Sequence, residues 1–353
     1  MIELSSTAFV SMLVAMVLTF GLLVWFFSPA TLAGPVGIYA PRSPKDAETF
    51  VTLDVMRMAH EEQKTPRLLL LGASTLAQSI GDPTPIEDML ENQLGVGKWD
   101  IHMLSSPLQT RLDQLTLIET ALKNRKAGDP PVVIAISIGV HRLGFPTERL
   151  LELENLGRLG VRSDWADDEV RKLGAKPRDR SMFYIVENFR FVVNDFPASF
   201  LRLVSRNASS RQIASYSPGT ELPDIYRPRD LTKAQIDFGQ YNLETYVEFF
   251  ARLNERIAGM QNVHLIFIDE RLSPGFLASR GMQPLADWLN GRFAARVAQF
   301  GAPYIEFMKS AGLSSSDYYD DYHLKNGEPQ RRARAAFASE FATFVKTCLS
   351  GAT

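Results

Sequence analysis

The chain has 353 residues, of which 45% are hydrophobic and 22% are charged, and its formal net charge is −2. This length and apolar content suffice for a full core and indicate one large domain with an additional segment. The near-neutral charge leaves no basic footprint for a nucleic-acid partner. The single cysteine, Cys348, rules out an internal disulfide and a cysteine-based metal site, and we expect neither a metal nor another cofactor.

An uncharged stretch near the N-terminus, residues 8–27, is long and apolar enough to cross a bilayer as a helix. A cleaved signal peptide is the alternative, because residues 30–33 (ATLA) form an acceptable cleavage site. We favour an uncleaved anchor, since the stretch exceeds the usual signal core and no Lys or Arg precedes it. We therefore predict an anchor over 1–28, a linker over 29–43 and an α/β domain over 44–353.

The charges around this stretch specify its orientation only weakly. Glu3 precedes it, whereas Arg42 and Lys45 follow it among acidic residues. The positive-inside rule, taken alone, leans towards a cytoplasmic domain.

After the linker, a helix is predicted up to about residue 63, and short apolar runs then alternate with amphipathic stretches. The predicted strands are Leu68–Leu71, Trp99–Leu104, Val132–Ile138, Val263–Ile268 and Tyr304–Phe307. The predicted helices between and after them are 85–94, 112–124, 232–260, 285–300 and 329–346. Buried strands that alternate with helices indicate a parallel sheet covered on both faces, which is an α/β fold of three layers.

A mostly helical insertion is predicted at about 145–260, between the third and fourth strands. Within it, Phe183–Val204 is apolar and aromatic. We expect this segment to pack on the domain core, because an apolar helical stripe usually faces a core. Contact with the bilayer or with a membrane partner is the alternative.

The first motif that points to chemistry is Arg67-Leu-Leu-Leu-Leu-Gly-Ala-Ser74-Thr75, an apolar run that ends in a serine. Ligands of parallel sheets bind at the carboxyl ends of the strands, and Ser74 lies just past such an end. Gly72 permits a tight turn there, and backbone N–H groups after the turn can face an oxyanion. For this serine on its own, capping of the next helix is the more common role.

The second motif is Asp320-Asp321-Tyr322-His323-Leu324, which precedes the last predicted helix. A histidine three residues after an aspartate lets Asp320 fix the imidazole tautomer while the other ring nitrogen faces Ser74. Together these residues supply the groups that activate a serine for acyl transfer. A solvated acidic loop is the alternative for this motif taken alone.

Gly72-Ala73-Ser74 after an apolar strand, and Asp320-x-x-His323-Leu324 before the last helix, resemble the first and last motif blocks of the SGNH/GDSL hydrolase superfamily. The resemblance implies a flavodoxin-like α/β/α sandwich and a catalytic triad of Ser74, His323 and Asp320. It covers the α/β core, about 64–145 and 261–348, and not the insertion.

The chain departs from the family pattern mainly around the expected oxyanion hole. Ala73 stands where the family usually has Asp, and Leu104-Ser105-Ser106-Pro107 lacks the glycine of the second block. His141 occupies the asparagine position of the third block, where its N–H can donate to an oxyanion or where it is only a polar residue at a strand end. The candidate oxyanion-hole residues are Ser74, Ser105, Ser106 and His141.

An N-terminal span before an SGNH-like domain resembles proteins that modify bacterial surface polymers, such as those of alginate O-acetylation and teichoic-acid D-alanylation. The resemblance implies a serine acyltransferase or esterase for a cell-surface polysaccharide or glycopolymer. It implies a glycan acceptor and a membrane-bound O-acyltransferase or polysaccharide synthase complex as partner. It also implies a single-pass protein of the bacterial cytoplasmic (inner) membrane whose domain is extracytoplasmic, and on this ground we set the charge-based orientation aside.

Two further hypotheses stay open. One is a non-catalytic SGNH-like subunit that binds glycan or scaffolds a membrane synthase or acyltransferase complex. The other is a lipase-like esterase of small or lipid esters.

The remaining polar clusters carry weaker signals. His60, His102 and His264 are isolated in the sequence, and nothing pairs them as metal ligands. For Asp269-Glu270-Arg271 we favour a surface ion cluster over substrate contact. We expect the arginines at 331, 332 and 334 to form a solvated helix face.

Overall fold

The computed structural model describes residues 6–36, 47–107, 109–139, 151, 157–204, 233–279, 281 and 283–349. The helices are α1 (Ser6–Phe26), α2 (Pro29–Thr31), α3 (Ala47–His60), α4 (Ser74–Ile80), α5 (Thr84–Asp88), α6 (Arg111–Leu122), α7 (Asp164–Lys172), α8 (Tyr184–Glu187), α9 (Phe196–Val204), α10 (Lys233–Ala258), α11 (Pro274–Ser279), α12 (Gln283–Ala298), α13 (Phe307–Ser310) and α14 (Glu328–Phe344). Wider helical turns cover Leu32–Val36, Met89–Gln93, Phe191–Asp195 and Val345–Leu349, and a tighter one covers Ser315–Asp317.

Helix α1 is the one candidate membrane span in the described part of the chain. Its Ala8–Phe26 portion has a mean hydropathy of 2.4, and none of its apolar window is buried against the rest of the protein. By length and composition this helix can cross a bilayer, as an anchor or as a signal sequence.

A parallel sheet lies at the centre of the domain. Its strands are β1 (Arg67–Leu71), β2 (Asp100–Met103), β3 (Val132–Gly139), β4 (Val263–Glu270) and β5 (Tyr304–Ile305). They are arranged in the order β2-β1-β3-β4-β5, and every neighbouring pair is parallel. The predicted strands and the α/β class are therefore confirmed.

The strand register brings the carboxyl ends of the central strands to one edge of the sheet. Leu71 of β1 pairs with Ile136 of β3, and Gly139 of β3 pairs with Glu270 of β4. Residues that follow β1, β3 and β4 therefore start from neighbouring points on this carboxyl edge.

Helices cover both faces of the sheet because strand side chains alternate between two apolar clusters. One cluster takes Leu69, Ile134 and Phe267 together with α3, α6, α10 and α12. The other takes Leu70 and Ala135 together with α4, α5 and α14. The near-continuous apolar strands predicted from sequence are thus buried on both sides.

Helix α10 lies within the stretch 145–260 that we assigned to an insertion, yet it packs directly on the sheet. Leu243, Phe250 and Leu253 are buried in the cluster that contains Phe267 of β4. The rings of Phe250 and Phe267 are 5.0 Å apart. We therefore reassign α10 as the crossover helix between β3 and β4 rather than as part of an insertion.

The aromatic segment Phe183–Val204 has two different sides. Phe191, Val192 and Phe196 are buried, and the Phe196 ring lies 5.4 Å from that of Phe27 just beyond α1. Phe189, in contrast, is 63% exposed. Packing on the core, the role we expected, accounts for only one side of this segment.

Candidate active site

The structure brings Ser74, His323 and Asp320 together at the carboxyl edge of the sheet. Ser74 opens α4 directly after the turn that follows β1, and its Oγ lies 3.0 Å from His323 Nε2. His323 Nδ1 lies 2.7 Å from Asp320 Oδ2. The three side chains form a continuous line of hydroxyl, imidazole and carboxylate, which is the arrangement needed to activate a serine.

The turn before Ser74 is shaped for this contact. A Cβ added at Gly72 would come within 2.8 Å of Cβ of Ser137 on β3, so a larger residue does not fit without displacement of the turn. Ala73, not Ser74, is the N-cap residue of α4, and it makes no side-chain capping bond. The Ser74 hydroxyl therefore does not cap α4, which was the alternative role considered for it.

Asp320 is held by its own loop in an orientation that serves the imidazole. Its Oδ1 accepts the backbone N–H groups of Tyr322 and His323 at 2.8 and 2.7 Å, which leaves Oδ2 for the ring of His323. Burial opposes ionisation, but the bonds from the His323 ring and the Tyr322 backbone outweigh it and hold the pKa of Asp320 below its ordinary value. An ionised carboxylate only accepts, so Nδ1 carries the ring proton and Nε2 faces Ser74 with its lone pair.

The Asp320–His323 pair is buried rather than solvated, contrary to the alternative considered for this loop sequence. The side chains of His323 and Asp320 are only 1% and 5% exposed. The backbone N–H of Ser273 donates to the Asp321 carbonyl at 2.9 Å, and the Tyr318 hydroxyl donates to the Arg271 carbonyl at 3.2 Å. These bonds fix the loop to the segment that leaves β4.

Arginine side chains of α14 also hold the site, and the expectation of a solvated helix face is wrong for two of them. Arg332 Nη2 lies 2.6 Å from Asp317 Oδ1, three residues before Asp320. Arg334 Nε donates to the carbonyl of Ile80, the last residue of α4, at 2.6 Å. Helix α14 is thus bonded to both elements that present the triad.

Tyr319 is a site residue that sequence reasoning missed. Its ring stacks on the His323 imidazole with a centroid separation of 5.6 Å and an angle of 14°, and the residue is 37% exposed. Its backbone N–H donates to the His323 carbonyl at 3.0 Å. Tyr319 therefore covers one face of the imidazole and limits its rotation. The only sequence signal for this role is that Tyr319 directly precedes the Asp320 motif.

The loop after β2 is built from serines that mostly bond to the protein itself. Ser105 Oγ donates to the Leu70 carbonyl at 3.3 Å, and the Ser106 N–H donates to the Gly72 carbonyl at 3.1 Å. The Ser106 N–H therefore supports the turn before Ser74 and is not available to an oxyanion, contrary to expectation.

Two of the other candidate oxyanion donors differ from Ser106. Within the described part of the chain, the backbone N–H groups of Ser74 and Ser105 make no hydrogen bond. His141 lies outside the described residues.

The Asp269-Glu270-Arg271 cluster is buried, so the expectation of a surface ion cluster is wrong. Asp269 is fully buried, accepts from Arg271 Nε at 2.6 Å and accepts from the Met308 N–H at 2.8 Å. Burial raises its pKa to about 6 despite these bonds. Glu270 is 3% exposed and accepts from Ser137 Oγ at 2.7 Å, which places its carboxylate beside the strand that supports the Gly72 turn.

One of the histidines noted in the sequence, His102, pairs with a buried carboxylate. His102 Nδ1 lies 2.9 Å from Asp54 Oδ2 in the core, and Arg57 bonds the other oxygen of Asp54 at 2.6 Å. Across the described ranges, no three His, Cys, Asp or Glu side chains come together as a metal site.

No protein-family model matches the chain, and no curated protein matches it.

Proposed function

We propose that this protein is a membrane-anchored serine acyltransferase or esterase of the SGNH type that acts on a cell-surface glycopolymer. The observation that carries the proposal is the line from Ser74 through His323 to Asp320, with contacts of 3.0 and 2.7 Å. The strand order β2-β1-β3-β4-β5 supports a flavodoxin-like sandwich, because that order is typical of flavodoxin-like sheets.

In the proposed mechanism, His323 Nε2 removes the hydroxyl proton of Ser74 as Oγ attacks the acyl carbonyl. The resulting oxyanion collapses, the bond to the leaving oxygen breaks, and the imidazolium returns its proton to that oxygen. An acceptor hydroxyl then gives its proton to His323 and attacks the acyl-enzyme, the bond from the acyl carbon to Ser74 Oγ breaks, and the imidazolium returns the proton to Oγ. Asp320 keeps the proton on Nδ1 and stabilises the imidazolium in both halves of the reaction.

Water and a glycan hydroxyl are equally able to resolve the acyl-enzyme, so the site chemistry fits transfer and hydrolysis alike. The apolar helix α1 supports an anchored protein, and the family resemblance supports an extracytoplasmic domain that works with a membrane-bound O-acyltransferase or polysaccharide synthase complex. The glycan acceptor follows from that resemblance.

A serine-directed fluorophosphonate probe tests the nucleophile. We expect the full-length wild type in membranes to be labelled and Ser74→Ala to be unlabelled. Ser79→Ala is the matched control, because Ser79 lies on the same helix and donates only to the Thr75 carbonyl at 2.8 Å. In cells, Ser74→Ala should fail to restore polymer acylation to a deletion strain. An unlabelled wild type, or full restoration by Ser74→Ala, would contradict the proposal.

A non-catalytic subunit is the second candidate, and the engaged Ser106 N–H favours it. That group bonds to the Gly72 carbonyl, so one expected oxyanion donor is lost. This candidate predicts that Ser74→Ala and His323→Ala both complement a deletion fully. Hydrolysis of short acyl esters without any polymer phenotype would instead support the lipase-like esterase.

A further inference from the structure

The segment Met182–Leu201 keeps an apolar face exposed after the core has been filled. Exposed apolar side chains recur along its short helical turns, and we call them the apolar face: Met182, Val186, Phe189 and Val193. Met182 directly precedes α8, Val186 lies on α8, and Phe189 and Val193 follow the turn at Asn188. Their exposed fractions are 90%, 55%, 63% and 48%. Phe191 and Phe196, on the other side, already supply the contacts to the core.

The segment that carries the apolar face contacts α1 at two points. The rings of Phe20 and Phe183 meet edge to face at 5.7 Å, and those of Phe26 and Phe196 meet at 6.3 Å. Phe20 precedes the end of α1 at Phe26 by six residues, which is about 9 Å along a helix axis. A bilayer crossed by α1 therefore reaches the level of Phe183, and this depth is typical of a helix embedded in the interface.

We infer that the apolar face is embedded in the bilayer, so that the domain is held on the membrane by α1 and by this second contact. Lipid fits as the occupant because the face is uncharged and because Phe183, next to Met182, contacts the exposed apolar helix α1. Arg190 lies at its margin with a side chain that is 42% exposed, and its long stem can reach lipid headgroups.

Contacts behind the apolar face connect it to the carboxyl edge of the sheet. Ser199 Oγ donates to Thr49 Oγ1 at 2.9 Å, on the first turn of α3. The next residue back, Glu48, pairs with Arg158 at 3.0 Å, and Arg158 also donates to the carbonyl of Pro107 in the loop after β2. The membrane contact thereby fixes the edge that carries Ser74. As a consequence, the substrate reaches Ser74 at the membrane surface. Only this consequence rests on the proposed function.

The test uses the full-length protein in lipid nanodiscs, with Cys348, the exposed cysteine, replaced by serine. Phe189→Cys and Val193→Cys carry a polarity-sensitive fluorophore, and nitroxide lipids serve as quenchers. Met16→Cys in α1 is the positive control, and Ser339→Cys on the exposed side of α14 is the negative control. We expect the labels at 189 and 193 to shift to shorter wavelength and to be quenched by lipid as at 16, while the label at 339 is unaffected.

The inference is overturned if the labels at 189 and 193 respond to aqueous iodide as strongly as the label at 339 while the label at 16 stays lipid-quenched. The face would then be open for a protein partner. Loss of lipid quenching at 16 would overturn it as well, because α1 would not cross the bilayer. Both substituted residues are largely exposed, so the core packing is retained in these variants. The readout is independent of enzymatic activity.

Discussion

Replacement of Asp320 by asparagine separates the charge and tautomer roles of this residue from its role in holding the loop. Asn can still accept the two backbone N–H groups with its oxygen, as Oδ1 of Asp320 does at 2.8 and 2.7 Å. Its amide nitrogen then faces His323 Nδ1 and must donate to it. The imidazole proton must then be on Nε2. This nitrogen points its N–H at Ser74 and cannot accept the hydroxyl proton.

The size of the expected loss follows from the bonds in the loop. To restore the active tautomer, the amide must flip, and this sacrifices two backbone hydrogen bonds of about 1 kcal/mol each. Replacement of an ionised acceptor by a neutral one costs about 1.5 kcal/mol more. The sum of about 3.5 kcal/mol corresponds to about 400-fold, and comparable substitutions in Ser-His-Asp sites approach about 10⁴-fold.

The assay is the rate of probe labelling or of ester turnover by the full-length chain, together with Tm. We expect Asp320→Asn to lose between about 10² and 10⁴-fold in rate with only a small change in Tm, because both backbone bonds are kept. Asp321→Asn, the adjacent aspartate, should stay near the wild-type rate. A loss of less than about tenfold in Asp320→Asn, or a larger loss in Asp321→Asn, would refute the assignment.

Three further predictions concern the supports of the site. Gly72→Ala places a Cβ 2.8 Å from a Cβ on β3, and we expect a loss of about 1–3 kcal/mol in unfolding free energy and slower labelling; unchanged values of both would contradict this. Arg332→Met removes the 2.6 Å contact to Asp317 and should slow labelling more than Arg331→Met, with a stability cost of about 1 kcal/mol or less; equal rates in the two variants would argue against a positioning role. Burial raises the pKa of Asp269 from 3.8 to about 6, so the folded state binds this proton more tightly and the group's contribution to stability falls as pH rises from about 4 to about 6. The resulting loss of unfolding free energy between about pH 4 and about pH 6 is at most about 3 kcal/mol, and it should be absent in Asp269→Asn, as thermal melts across this pH range would show.

The sheet could be predicted because the central strands contain long apolar runs, such as Leu68–Leu71 and residues 132–136, and a sheet covered on both sides buries such runs. The contact of Ser74 with His323 could be anticipated because both motifs occupy predicted ends of elements at one edge. Sequence alone could not show that the Ser106 N–H bonds to the Gly72 carbonyl, since a backbone donor has no sequence signal. The pairing of Arg332 with Asp317 could not be predicted either, because Arg332 lies on α14 and Asp317 on an earlier turn, and the sequence does not show how these two elements pack.

Helix α10 illustrates a different limit of sequence reasoning. Its apolar residues have the spacing of any amphipathic helix, and this pattern does not say which surface the helix covers. The contact of Phe250 with Phe267 on β4 decides the matter and makes α10 part of the sheet cover. The length of the chain between β3 and β4 had suggested an insertion where the crossover connection of a parallel pair was required.

In the candidate site, the Ser74–His323–Asp320 line has more supporting contacts than the expected oxyanion hole. This difference bears on the choice among the proposed functions. The proposed base, His323, is held by Tyr319, which stacks on its imidazole, and by Arg332, which bonds to Asp317 in the same loop. Where an oxyanion would form, the Ser106 N–H is already bonded to the Gly72 carbonyl. The N–H groups of Ser74 and Ser105 are therefore the remaining backbone donors among the described candidates. Within the proposed function, loss of the Ser106 donor favours an activated acyl donor over an ordinary ester, because an activated carbonyl demands less stabilisation of the oxyanion. On the same proposal, delivery of such a donor at the membrane surface suits transfer better than hydrolysis of soluble esters.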